Sequence, residues 1–80
     1  MIVEIRTPDK LIFSKEAKMI QLPGTQGAFE ILKNHAPIVS TLKKGQIKIT
    51  EINGKTNTID LPGGGLIESN ENKIIILMEA

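Results

Sequence analysis

Along most of this chain apolar and polar residues alternate with a period of two, and turn-forming residues break the alternation at short intervals. That pattern selects strands with one buried and one wet face and leaves little room for helices. Val3 and Ile5 alternate with Glu4 and Arg6. Thr7-Pro8-Asp9-Lys10 is a turn signal, because Pro fixes φ at a corner position, and Leu11-Ile12-Phe13 reads as a short second strand. Over residues 17–22 the alternation places Ala17, Met19 and Gln21 on one face and Lys18, Ile20 and Leu22 on the other, until Pro23-Gly24 ends it. Ile47 and Ile49 share a face opposite Gln46, Lys48 and Thr50. Asn53-Gly54 then gives the strongest hairpin signal, since both residues tolerate positive φ, and residues 56–61 form the returning strand. Beyond Pro62-Gly63-Gly64-Gly65 come a short strand, Leu66-Ile67-Glu68, a turn at Ser69-Asn70-Glu71-Asn72, and a last strand over residues 73–78. The whole pattern predicts an all-β sandwich or barrel, one domain over residues 1–80.

The last strand departs from the pattern. Ile74-Ile75-Ile76-Leu77-Met78 is apolar on both faces, whereas a sandwich strand needs one apolar face. Either it is an edge or corner strand covered by a loop, or its outer face meets a partner protein. Left bare, it would invite aggregation.

Composition removes several classes of function. Ten basic and nine acidic residues leave a net charge of +1, interspersed, with no basic run beyond Lys43-Lys44. Two Phe and no Trp or Tyr supply no stacking platform, so nucleic-acid binding is not expected. No apolar stretch approaches the ~20 residues that span a bilayer, and the N-terminus lacks a signal-peptide pattern, so a soluble, cytoplasmic protein without direct membrane insertion is expected. Without cysteine there is neither a disulfide framework nor a thiolate metal site.

Candidate chemistry is sparse. His35 is the single histidine, and its neighbours suggest a loop residue bonded to nearby backbone rather than a catalytic base. One histidine with scattered carboxylates cannot build a zinc site, and no calcium-loop pattern is present. The glycines at 63–65 lie between strands, with no helix N-terminus to hold a phosphate, so they are expected to serve a bend or a close backbone approach. Glu16-Ala17-Lys18-Met19 resembles in part the Glu-Ala-Met-Lys-Met signature of biotin carrier domains. Such a carrier presents its lysine at a hairpin tip, whereas Lys18 sits within an alternating strand. A carrier modified on Lys18 and a small hydrolase using His35 are the rival readings. No catalytic residue, cofactor, metal or small-molecule ligand is expected.

The most informative stretch is residues 24–37, Gly-Thr-Gln-Gly-Ala-Phe-Glu-Ile-Leu-Lys-Asn-His-Ala-Pro. Gly24 and Gly27 suggest a turn that glycine makes most easily, Phe29, Ile31 and Leu32 supply an apolar anchor, and Pro37 closes a polar loop. Physics describes a shaped surface loop suited to recognition. The pattern Gly-x-x-Gly-x-Phe-x-Ile-Leu-x-x-His-Ala-Pro, followed by Leu42 and Gly45, resembles the epsilon subunit of F-type ATP synthase. Thr7-Pro8, Phe13-Ser14, Leu22-Pro23-Gly24, Gly63-Gly64 and Glu68 support it on both sides. Members often carry Gly where Glu30 stands, and Pro-Asn or Pro-Gly where Lys33-Asn34 stands.

The resemblance implies a flattened β-sandwich of about ten short strands. It implies a non-catalytic rotor subunit of the central stalk, holding the gamma subunit against the membrane c-ring so that proton (or sodium) flow drives ATP synthesis. The complex would lie on the cytoplasmic side of the bacterial inner membrane. By the same resemblance Gln26, Gly27, Phe29, Glu30, Ile31, Leu32, Asn34, His35, Ala36 and Pro37 would form a loop facing the c-ring. A contact of the last strand with gamma, through Ile74, Ile76 and Met78, is expected because its apolar run needs covering. Most members continue into two helices that restrain hydrolysis or bind ATP. This chain is expected to carry neither that arm nor a nucleotide site.

Overall fold

Residues 1–79 are described by a computed structural model of the chain. Eight strands form: β1 (Ile2–Arg6), β2 (Leu11–Gly24), β3 (Gly27–Leu32), β4 (Ile38–Leu42), β5 (Gly45–Glu51), β6 (Thr56–Leu61), β7 (Gly65–Ser69) and β8 (Lys73–Met78). The all-β class is as the alternation demands. Eight strands are fewer than the ten expected, in part because residues 11–24 run through as one fourteen-residue strand.

That long strand builds the architecture. Its first half pairs antiparallel with β1, from Arg6↔Leu11 to Ile2↔Glu16. Its second half pairs with β3 and with β5, Ile20 lying opposite both Ile31 and Ile49. Between the halves the register slips from Ala17 to Met19. A bulge bends a strand and lets it pass from one sheet to another. The Met1 ammonium group pins this corner, donating to Ala17 O at 3.2 Å and to Glu16 Oε2 at 3.3 Å.

One layer therefore comprises β1, β8, β7, β4 and the first half of β2, with β1 and β8 parallel. The other comprises β3, β5, β6 and the second half of β2. Val3, Ile5, Ile67, Ile74 and Ile76 face inward from the first layer; Ile20, Leu22, Ile31, Ile47, Ile49 and Leu61 face inward from the second. The bulge also corrects the strand reading above. Ala17, Ile20 and Leu22 are all buried, because the extra residue at Lys18 moves the inward face from odd to even positions.

The glycine-rich crossover from β6 to β7 is a close backbone approach, as expected. Gly64 has φ +71°, and a Cβ there would strike the Leu42 carbonyl.

The last strand is neither an edge nor a corner. β8 lies between β1 and β7 and bonds to both. Ile74 and Ile76 are buried and Met78 packs partly against the core, so the three residues expected to meet gamma point inward. Ile75 and Leu77 carry the outer face.

Candidate protein-docking surface

Residues 24–37 do not form one loop. Gly24 pairs with Gly27 across Thr25-Gln26, and β3 then returns along β2 to Leu32. Glycine is required at position 24, where a Cβ would lie 2.6 Å from Gly27 O and 2.7 Å from the Phe29 ring. Six strand residues span about 17 Å, so Gln26 and Gly27 stand at one end of the sandwich and Asn34, His35, Ala36 and Pro37 at the other. At the first end Thr25 Oγ1 shares a hydrogen with Thr41 Oγ1 at 2.7 Å, and Lys43 N donates to Pro23 O at 2.8 Å. At the second end Ile38 N donates to the buried Ser69 Oγ at 3.2 Å.

The turn after β3 explains its own sequence. His35 N donates to Leu32 O at 3.2 Å, and Asn34 has φ +66°. A positive φ at the third turn residue favours Gly or Asn there, and Pro is common just before it. Lys33-Asn34 and the Pro-Asn or Pro-Gly of the resembling family thus satisfy one geometry. His35 Nδ1 bonds to Ala36 O at 2.8 Å, the local backbone partner expected of it.

β3 hydrogen-bonds on one side, to β2, and so presents a free edge. Glu30, Leu32, Lys33, Asn34, His35, Ala36 and Pro37 are exposed along this line, Leu32 by 53%. Phe29 is half-buried against the core and Ile31 is buried, so Ile31 anchors the ridge from beneath and has no outward surface. The expected docking loop is a ridge along one sandwich edge, with a turn at either end.

The two broad faces differ in chemistry. The outer face of the β3–β2–β5–β6 layer is polar across its centre: Gln21 Nε2 donates to Glu30 at 3.1 Å and Gln46 Nε2 to Asp60 at 2.9 Å, with Lys48 opposite Thr58. Only at one end does Leu32, opposite Met19, bring an exposed apolar side chain. The outer face of the other layer is apolar at its centre. Leu77 pairs directly with Leu66, Leu66 with Thr41, and Val39 is 76% exposed beside Glu68. Ile2 and Ile75 extend the band. Val39 and Leu66 were missed in the sequence; the signal was there in the pairs Ile38-Val39 and Leu66-Ile67, which make β4 and β7 apolar on both faces, as β8 is. At the rim of this band Glu4 lies 3.3 Å from Lys73 Nζ and 3.4 Å from Arg6 Nε. Its hydrogen bond with Lys73, aided by Arg6, holds its carboxyl below the usual carboxylate range despite some desolvation.

Among the described residues no three His, Cys, Asp or Glu side chains gather as a metal site. Among the same residues no helix is long and apolar enough to cross a membrane. Lys18 stands at the bulge in mid-strand, not at a hairpin tip, which does not favour the carrier reading.

Known proteins share this arrangement. A family model described as "ATP synthase, Delta/Epsilon chain, beta-sandwich domain" matches residues 1–80. The ATP synthase epsilon chain of Campylobacter fetus is 42% identical over 77 residues, which cover 96% of this chain and 59% of that protein. The ATP synthase epsilon chain of Chlorobaculum tepidum is 38% identical over 77 residues, covering 86% of its length. A chain in the Euglena gracilis mitochondrial ATP synthase has the same fold, with a TM-score of 0.89 at 21% identity over 98% of this chain and 49% of its own. This chain thus spans about three-fifths of the Campylobacter relative, and it belongs to the ATP synthase delta/epsilon chain β-sandwich domain family.

Proposed function

We propose that this chain is a non-catalytic rotor domain of the ATP synthase central stalk, docking gamma to the membrane c-ring so that ion flow drives ATP synthesis. Residues 1–80 act as one unit, held peripherally at the cytoplasmic side of the bacterial inner membrane through these partners. Family membership supports the assignment. The observation that carries the docking role is the asymmetry of the sandwich, one face closed by polar pairs and the other left apolar at its centre. A protein this small gains little by exposing such a band unless a partner covers it. Its longer extents, 29 × 24 Å, suit a standard interface of about 800 Å² per partner.

Gamma takes the face bearing Val39, Leu66, Ile75 and Leu77. The c-ring takes the turn at Asn34, His35, Ala36 and Pro37, with Glu30 and Leu32 along the ridge; Gln26 and Gly27 mark its far end. Apart from Leu32, which adds one exposed apolar contact, these are mostly polar and small side chains, suited to the polar loops of a c-ring.

The chain has no cysteine, so single-cysteine variants report cleanly. In the assembled synthase, Leu77→Cys should cross-link to gamma and His35→Cys to a c subunit. Cross-linking of both positions to the same subunit, or of neither to any, would overturn the assignment.

A further inference from the structure

The turn joining β5 to β6 carries a chemistry that docking does not use. Asn53 and Gly54 are both exposed at its tip. Asn53 Oδ1 accepts a hydrogen bond from the Lys55 backbone N–H at 3.0 Å, which folds the carboxamide forward across the Gly54 peptide. Gly54 has φ +92° and open space where a Cβ would stand, so nothing shields its nitrogen from the side chain before it. The Lys55 N–H also polarises the carboxamide, and it donates to the oxygen that gains negative charge when the carbon is attacked. A bond from Gly54 N to Glu51 O at 2.9 Å restrains the nitrogen. Exposed hairpin tips open locally at little cost, and opening frees it.

The other asparagines lack this combination. His35, Thr58, Glu71 and Lys73 follow Asn34, Asn57, Asn70 and Asn72, and each places a Cβ beside the attacking nitrogen. Asn57 is further tied to Glu51 Oε2 at 2.6 Å.

We propose that Asn53 is a spontaneous modification site, converting to aspartate and isoaspartate through a cyclic imide formed with Gly54. The Gly54 amide nitrogen loses its proton and attacks Asn53 Cγ; the C–N bond to the side-chain amine breaks, and ammonia leaves with that proton. One water then opens the ring at either carbonyl, so one water is consumed for each ammonia released and nothing is oxidised or reduced. The aspartate product adds a negative charge beside Glu51, whose partner Lys15 lies 3.9 Å away. The isoaspartate product lengthens the main chain by one methylene inside the turn. It must loosen the Glu51 N to Lys55 O bond and the Thr50↔Thr56 pair.

The test is incubation of the intact folded chain at neutral and mildly alkaline pH, followed by ammonia assay and peptide mapping. The expected result is loss of Asn53 into two products, faster at the higher pH, while the other four asparagines stay intact. Gly54→Ala should slow the loss about tenfold by crowding the nitrogen. Because that variant strains a positive φ, Asn53→Gln is the second arm, and it should abolish early ammonia release without disturbing the fold. Asn53 surviving as long as Asn34, or Asn53→Gln releasing ammonia at the unmodified rate, would overturn the proposal.

Discussion

Asn34 holds a left-handed backbone, φ +66°, at the turn that ends the exposed ridge. The conformation costs about 1–2 kcal/mol for an ordinary side chain and less for Asn. Asn34→Gly should therefore leave stability within about 1 kcal/mol, relief of strain being offset by a freer unfolded chain. Asn34→Val should destabilise by about 1–2 kcal/mol, because a β-branched residue resists positive φ. Urea denaturation midpoints check both. Glu4 offers a test by pH. Its carboxyl is held below the ordinary 4.5, chiefly by Lys73. A depressed carboxylate stabilises the fold above its unfolded pKa, and the contribution is lost as pH falls through the folded value. Lys73→Met should therefore lower the denaturation midpoint at neutral pH, and the gap from the unmodified chain should close below 4.5 and narrow in high salt. Single residues were legible in the sequence where their partners are local. His35 bonds to its neighbour's carbonyl as its setting suggested. Ile31, Ile74 and Ile76 were not, because the direction of an apolar residue within an apolar run depends on strands distant in sequence.

At the scale of elements, the hairpin at Asn53-Gly54 and the break at Pro62-Gly63-Gly64 are where turn chemistry put them. Of Asn53 and Gly54, however, only Gly54 takes a positive φ, because the tight turn closes one residue earlier, with Gly54 N donating to Glu51 O. The bulge at Lys18 left no composition signal, and without it strict alternation assigns Ala17 to the wrong face. β3 was hidden because its flanking turns are rich in Gly, Asn and Pro, so six strand residues between them passed for loop. β8 was seen as a strand but not as a central one, since pairing order is a non-local property. Its place between β1 and β7 makes a prediction. Ile76 is fully buried among strands of both layers, so Ile76→Ala should destabilise by about 2–5 kcal/mol. Leu77→Ala, one residue on and outward, should cost less than about 1 kcal/mol in the isolated chain. Thermal unfolding of the two variants side by side separates an inward from an outward position.

At the scale of the whole molecule, one long bent strand joins two layers, and the layers differ in what they show to their surroundings. The polar layer satisfies itself through side-chain pairs across its strands. The other layer leaves Val39, Leu66 and Leu77 outward, and these hydrophobics find no cover within the fold. In the assembly proposed above, gamma covers this face. The most direct measurement is the affinity of the purified chain for purified gamma, with and without a charge at the centre of that face. Binding on the order of 1 μM or tighter is predicted, weakened at least about tenfold by Leu66→Lys and unchanged by Thr58→Lys on the polar face. No binding at micromolar concentration, or equal loss from both substitutions, would contradict the account.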